Sequence, residues 1–457
     1  MNILNKTIIN VVRSKAGKSL VHYWFTRHWK KVSKQYSKTK DHSKKPRLFW
    51  GTVPILNNKY WSRAMKNMGF ESVTIMREYY SNIGKKDDYD LYFEDIIKTK
   101  YNKVPFVIKV YYSGYFVMDH ILKNFDIAHL SCEGITPFLP KEQEVALLKA
   151  FGLKTVVIPY GSDLHRYSTL INVSRRHAIQ INYPTAALHE EEIQKELNAW
   201  IKHADIFLPG ALVDGIGRWD ALPCCVLTID EKIIYKKENY NKNDGKNNKV
   251  VIAHAPNHRG AKGTDFVIAA IEELQTEGLK VELKLIENLS NDELLSVLRN
   301  DVDLVVNELI GTFYGLFPIE AMAVGLPIVG NLSVEEYTRM FRRFSYFNEC
   351  PMASATVENV KEVLRVLVLN PDLRKELGIA GRAFVEKYHS ENAAQYLFSS
   401  IYDKIWYQKK VDLMNLYHPL KKESFNNQSP IVKHPLKENI IPEKYYKNNN
   451  TELNINS

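Results

Sequence analysis

The 457-residue chain lacks any run of eighteen or more consecutive apolar residues, so it offers no obvious membrane-spanning helix. Its opening, MNILNKTIINVVRSKAGKSL, lacks both a continuous apolar stretch and a small-residue cleavage site, and it reads poorly as a secretory signal. Cysteine is scarce. Cys132, Cys224, Cys225 and Cys350 show no metal-ligand spacing, and the adjacency of two of them suits neither a disulfide framework nor a zinc site. Reduced thiols in a cytoplasmic protein are the plain reading. Acid is scarce in one place only: residues 1–47 hold thirteen Lys or Arg against the single acid Asp41. The net charge of +10 therefore belongs to an arm, and the rest of the chain is close to neutral. That distribution, with nothing else in support, weighs against nucleic acid as a partner.

What is present is an ordinary globular body, with 45% hydrophobic and 25% charged residues in a length that calls for two domains. The arm comes first, residues 1–46. Ile8, Val11 and Val12, then Leu20, Val21, Trp24 and Phe25, recur at helix-like spacing among Lys and Arg. Such a segment either lies on an anionic membrane surface or packs on the body with a solvated basic face. KKVSKQYSKTKDHSKKPR reads as a polar linker. From residue 47 to 230, strand-like runs (RLFWGT, ESVTIM, DIAHLS, KTVVIPY, ADIFLPG) alternate with helical ones. The Lys/Asn-rich stretch 231–249 has no apolar period and reads as a linker between domains.

The second domain, 250–389, alternates more cleanly: KVVIAHAP, a helix with Thr264 as its N-cap, KVELKLIE, a helix opening on a Ser290/Glu293 capping box, and VDLVVNEL. Residues 390–417 form a last helical segment. Residues 418–457 are Lys/Asn/Pro-rich and expected to be disordered. The predicted class is α/β, two doubly wound Rossmann-like domains with parallel sheets.

Ligands of such sheets bind at the carboxyl ends of strands. Two loops of the second domain sit there. HAPNHRGAKGTD offers Arg259 and Lys262 as cations and Gly260 and Gly263 for close backbone approach, the components of a phosphate site. It is neither a P-loop nor G-x-G-x-x-G. GTFYGLFPIEAMAVGLP brings Gly315 to the start of a helix, with Glu320 expected in its first turn, where a carboxylate could accept a sugar's vicinal hydroxyls. DYD (88–90) and DVD (301–303) are too short a pattern to imply a metal, and no metal site is expected.

Together these loops resemble the donor domain of glycosyltransferase family 4, of the two-domain GT-B fold. Gly315-Leu316, Glu320-Ala321-Met322-Ala323 and Gly325-Leu326-Pro327 match its signature, and the Arg259/Lys262 loop is similar to its basic loop ending in Lys-Gly. The likeness is specific over 250–330 and loose over 47–230. It implies an interdomain cleft, Arg259 and Lys262 on the donor diphosphate as catalytic cations, and Glu320, Gly315 and Leu316 as donor-binding residues. It places His129 where the family has an active-site histidine. It also places Asp163 of YGSD, and Gly51 of the loop after the first strand, toward the acceptor or cleft. The family's first motif Glu falls on Thr312 here, with Glu308 the nearest carboxylate that could replace it. Either the sugar is held differently or turnover is lost.

The resemblance implies a retaining hexosyltransferase. It would move a sugar from a nucleotide-diphosphate donor to a saccharide or lipid-linked acceptor, in cell-surface polysaccharide or glycan synthesis, without cofactor or obligatory metal. The segment 390–417 is similar to the family's crossover helix. A cytoplasmic protein, with the basic arm as its contact to the inner face of the membrane, is the expected location. The alternatives are a non-catalytic sugar-nucleotide-binding subunit and a GT-B-fold sugar-nucleotide epimerase.

Overall fold

Short apolar runs become strands buried on both faces, as parallel sheets require. The computed structural model describes residues 14–80, 84–101, 103–425 and 429–450. Ile8, Val11 and Val12 of the arm lie outside them. The chain divides into two units, each with its own sheet. The first holds residues up to His165, Glu191–Leu208 and Phe398–Val411; the second holds Arg166–Glu190, Pro209–Leu397 and the residues from Asp412.

The first sheet contains β1 (Leu48–Trp50), β2 (Ser72–Met76), β3 (Leu91–Tyr92), β4 (Ile127–Leu130), β5 (Lys154–Val157) and β6 (Ile206–Phe207). All pairings are parallel, in the order β3-β2-β1-β4-β5-β6. The order reverses between β1 and β4, the point at which a doubly wound sheet opens a crevice.

The arm is a helix, Lys15–Lys38, whose N-cap Ser14 accepts a hydrogen bond from Gly17 N (3.0 Å). It packs on the first unit through Phe25 and Trp29. Phe25 stacks on Tyr115 (centroids 5.2 Å apart), and Trp29 Nε1 donates to Asp119 Oδ1 (3.0 Å). The stretch from Lys30 expected to be a linker is instead, as far as Lys38, the end of this helix. Ser33 and Tyr36, the latter against Phe151 (5.7 Å), keep the inner face seated although no apolar period announces it. Beyond it Lys40 Nζ donates to Asp126 Oδ1 (2.7 Å) and Arg47 Nε to Asp126 Oδ2 (3.0 Å).

The second sheet contains β7 (Val250–His254), β8 (Val281–Leu285), β9 (Leu304–Val306), β10 (Ile328–Gly330) and β11 (Ala353–Ser354), in the order β11-β10-β9-β7-β8, again all parallel. Its reversal lies between β7 and β9. The helix Thr264–Thr276 turns Val267, Ile271 and Leu274 into the core with Val250, Ile252, Leu304 and Val306.

Three expectations about organisation need correction. The stretch 231–249 is not a linker but an irregular strap on the second unit. Ile234 is buried, Lys237 N donates to Val324 O (2.7 Å) and Tyr240 OH to Gly325 O (3.0 Å). The expected boundary at 230 likewise gives way to several crossings, because Arg166–Glu190 and residues 209–230 also belong to the second unit. Periodicity identifies a helix but not the sheet it returns to. Finally, the described residues of the stretch from 418, 418–425 and 429–450, are not a disordered tail. Leu436 and Ile441 enter the second core, and Asn439 Nδ2 donates to Cys350 O (2.7 Å) and Met352 O (3.0 Å). Ser354 N donates back to Asn439 O (2.7 Å) beside edge strand β11. A few anchors in irregular backbone hold the segment, and none produces a period. The helix Glu391–Ile405 starts in the second unit and passes to the first at Phe398.

Candidate functional site

The two sheet reversals are the places to look, and each belongs to one unit. At the second, β7 ends in His254. The imidazole is buried, with Nδ1 against Val306 O (2.9 Å) and Nε2 against Thr264 Oγ1 (3.0 Å), and burial lowers its pKa. Thr264 is therefore the first helical residue with its hydroxyl turned inward, not the expected N-cap. The cap is Gly263, whose φ of 75° favours glycine and whose Cβ would lie 3.3 Å from Ile310. That turn brings Lys262 against the loop after β9, where Leu309 N donates to Lys262 O (3.1 Å).

The residues of the two loops form a circuit. Arg259, exposed, makes a two-pronged bond to Glu287 after β8 (Nε–Oε1 2.9 Å, Nη2–Oε2 2.7 Å). Four residues on, Asn291 Nδ2 donates to Glu320 Oε1 (2.8 Å). Glu320 lies in the helix Leu316–Val324, whose N-cap is Gly315. The same loop carries Thr312 and, before it, Glu308, which pairs with Lys262 (2.5 Å). The circuit thus closes from Arg259 round to Lys262.

Glu320 is not in the first turn of its helix, as expected, but is its fifth residue, because the helix already begins at Leu316. It is 3% exposed, and burial pushes its pKa up to about 7 against the opposing hydrogen bond from Asn291. The loop ahead of it is held from below. Phe313, with φ 84°, packs on Phe341 and Phe347, and Tyr314 OH meets His389 Nε2 (3.1 Å). Its aromatics are anchors, so Gly315 alone stands exposed at the helix N-terminus. Among the described residues, the buried atoms Asn307 Nδ2 and Thr312 Oγ1 find no hydrogen-bond partner. Leu316 is half-buried behind Gly315.

Sequence reasoning missed Glu287, Asn291, Asn307 and His254. Asn291 had a signal, standing just after the capping-box serine; the others stand just beyond or at the end of a strand. It also missed Tyr183, which hydrogen-bonds His258 from the segment 166–190.

The residues expected in the first domain are placed differently. His129, on β4, is 1% exposed and stacked on Trp50 (3.5 Å), with Nδ1 against Phe49 O (3.0 Å) and Nε2 against Tyr402 OH (2.9 Å). Burial lowers its pKa to about 3. Both nitrogens are engaged, so the ring has none to offer a substrate, and a catalytic role for it is not carried further. Asp163 accepts hydrogen bonds from the N–H groups of Cys132 (2.9 Å), Tyr160 (3.1 Å) and Gly161 (3.0 Å) and ties two strand-end loops together. Burial raises its pKa to about 6 despite these bonds. Gly51 donates to His129 O (3.2 Å), and a Cβ there would come within 2.2 Å of Ile75 O. Close strand packing, not a ligand, explains that glycine. Among the described residues no group of His, Cys, Asp or Glu is placed to hold a metal ion, and no helix is long and apolar enough to cross a membrane.

No protein-family model and no curated protein matches the chain. Solved structures do. Sucrose-phosphate synthase from Thermosynechococcus elongatus superimposes with a TM-score of 0.50 at 11% identity, covering 80% of this chain and 100% of that one. A glycosyltransferase from Rickettsia africae gives 0.45 at 13% identity, covering 79% and 98%. The first likeness establishes the fold, two doubly wound α/β domains of the GT-B type.

Proposed function

We propose that the second unit binds a sugar nucleotide and that the protein transfers its sugar to a saccharide or lipid-linked acceptor, as a retaining family 4 glycosyltransferase. The observation that carries this reading is the closed circuit at the β7/β9 reversal, in which two carboxylate-held cations, an exposed helix N-terminus and a buried glutamate are joined. A diphosphate arriving there exchanges Glu287 and Glu308 for its own oxygens on Arg259 and Lys262. Fixed cations then stabilise the charge that develops on the departing nucleotide as the glycosidic bond to its phosphate oxygen breaks. The amides at Gly315 and Leu316 face the same negative charge. Glu320, ionised, accepts the ribose hydroxyls. The unpartnered Asn307 and Thr312 are the groups proposed to meet the sugar, in place of the motif glutamate that Thr312 replaces.

The test is nucleoside diphosphate release from a panel of sugar nucleotides, with calorimetric binding on the same panel. Release from one donor, lost in Glu320→Ala and in Arg259→Ala/Lys262→Ala, is the expected result. Binding without release, even with acceptors present, would replace the transferase by a non-catalytic binding subunit. An altered sugar nucleotide formed without acceptor would make it an epimerase. No binding to any donor sinks the site.

A further inference from the structure

The arm helix has a second face. Its inner stripe, Phe25, Trp29 and Ser33, is fixed to the first unit, so the helix cannot roll. On the opposite side, at alternating steps of four and three, stand Leu20, Trp24, Arg27, Lys31, Lys34 and Lys38, all exposed, with Tyr23 and Lys30 beside them. Leu20, Tyr23 and Trp24 are 68%, 59% and 57% exposed. No acid occurs anywhere in the 24 residues.

Leaving three large apolar side chains in water is costly, and a solvated basic face gains nothing from them. A surface that is anionic outside and apolar a few ångströms deeper satisfies both halves. Trp and Tyr rings settle at the headgroup boundary, Leu beneath it, while Lys and Arg reach the phosphates. The first unit has further exposed apolar side chains. Phe138, which stacks on Tyr115 (6.1 Å), and Phe106 and Val110 of the helix Phe106–Tyr111 are about half exposed. A polyanion such as nucleic acid would use the cations and leave these rings unburied.

We infer that this face of the first unit docks on an anionic lipid bilayer, holding the protein at a membrane surface without crossing it. The inference does not depend on what the second unit binds. It is tested by co-sedimentation of the full chain with vesicles of phosphatidylcholine alone and of phosphatidylcholine with phosphatidylglycerol. Binding to the mixed vesicles only, weakened by added salt, is expected. Arg27→Glu/Lys31→Glu/Lys34→Glu lowers the partition coefficient by roughly a hundredfold or more. Leu20→Ser/Trp24→Ser lowers it at least about tenfold. All these side chains are exposed, and melting temperatures change little, most in Leu20→Ser/Trp24→Ser, which loses the contacts of Trp24 with Phe25 and His28. If a reversed variant melts early, Arg27→Gln/Lys31→Gln/Lys34→Gln takes its place. The inference is overturned if the wild type binds neither vesicle, if the variants bind as it does, or if soluble duplex DNA competes the protein off the vesicles at equal phosphate.

Discussion

The two sheet reversals carry the same histidine and different surroundings. His129 and His254 each stand on a strand at the reversal, each with Nδ1 against a carbonyl of the neighbouring strand and Nε2 against a hydroxyl. Both are 1% exposed, and burial holds both neutral at physiological pH. The common element is therefore architectural: an imidazole pinning two central strands to a third element. The difference lies around it. Trp50, Phe398 and Tyr402 wall in His129, whereas Arg259, Lys262 and their carboxylates rim the reversal at His254. The proposed chemistry follows the accessible charge and not the histidine.

Removing that charge makes the largest break. Arg259→Ala/Lys262→Ala is expected to cut nucleoside diphosphate release by about a thousandfold, the scale of losing preorganised transition-state partners. Stability changes little through Arg259–Glu287, a surface pair, and falls more through Lys262–Glu308, which is partly buried and leaves Glu308 without its cation. If turnover persists in the double variant, the charged reversal is not the working one.

The histidines should break alike. His129→Ala and His254→Ala each strand a buried carbonyl and a hydroxyl and open a cavity, at a cost of about 4 kcal/mol. Urea unfolding measures it. The fraction of His129→Ala that remains folded should retain the parent's turnover per folded molecule; a hundredfold loss there would restore the histidine as a catalyst.

This comparison also marks how far the sequence is legible. β1, β2, β4, β5, β7 and β9 are short, mainly apolar runs, β8 alternates apolar and charged residues (VELKL), and the match around Glu320 singles out its loop. Of the two-residue strands, β6 lies within the apolar run ADIFLPG, whereas β3 and β11 have no such run around them. His129 and Asp163 look functional because a strand-end polar residue has the same sequence signature whether it faces a ligand or a neighbouring strand. Glu287 and Asn291 are invisible for the converse reason. Their meaning comes only from Arg259 and Glu320, brought to them by the sheet. The arm helix outruns its own pattern because serine and tyrosine, not leucine, hold its last turns.

Glu320 sharpens the comparison through pH. Its native pKa of about 7 lies above the ordinary 4.5, so the folded chain holds the proton more tightly than the unfolded one. The stability this residue lends is complete below about pH 4.5 and lost as pH rises through about 7, beyond which the fold carries a buried carboxylate at about 3 kcal/mol. Glu320→Gln is expected to match the wild type in urea at pH 4 and to exceed it by up to about that amount at pH 8, while binding no donor. Equal stability at both pH values would mean the carboxylate is not desolvated.

Asn291→Ala gives the smallest effect and the finest test, because it alters the surroundings of Glu320 and leaves the carboxylate itself in place. Among the described residues, the amide of Asn291 gives the hydrogen bond that opposes the burial of this carboxylate. Losing it leaves the charged form less stable and moves the pKa further up, by about one pH unit for a hydrogen bond to a charged acceptor. If ionised Glu320 receives the ribose, donor affinity falls as pH drops through about 7 in the wild type. In Asn291→Ala that fall then begins at higher pH, with affinity recovering at pH 9. Calorimetric titration across this range separates the cases. A displaced midpoint with recovery assigns Asn291 to holding the carboxylate ionised, whereas a uniform loss at every pH would mean that it touches the donor itself.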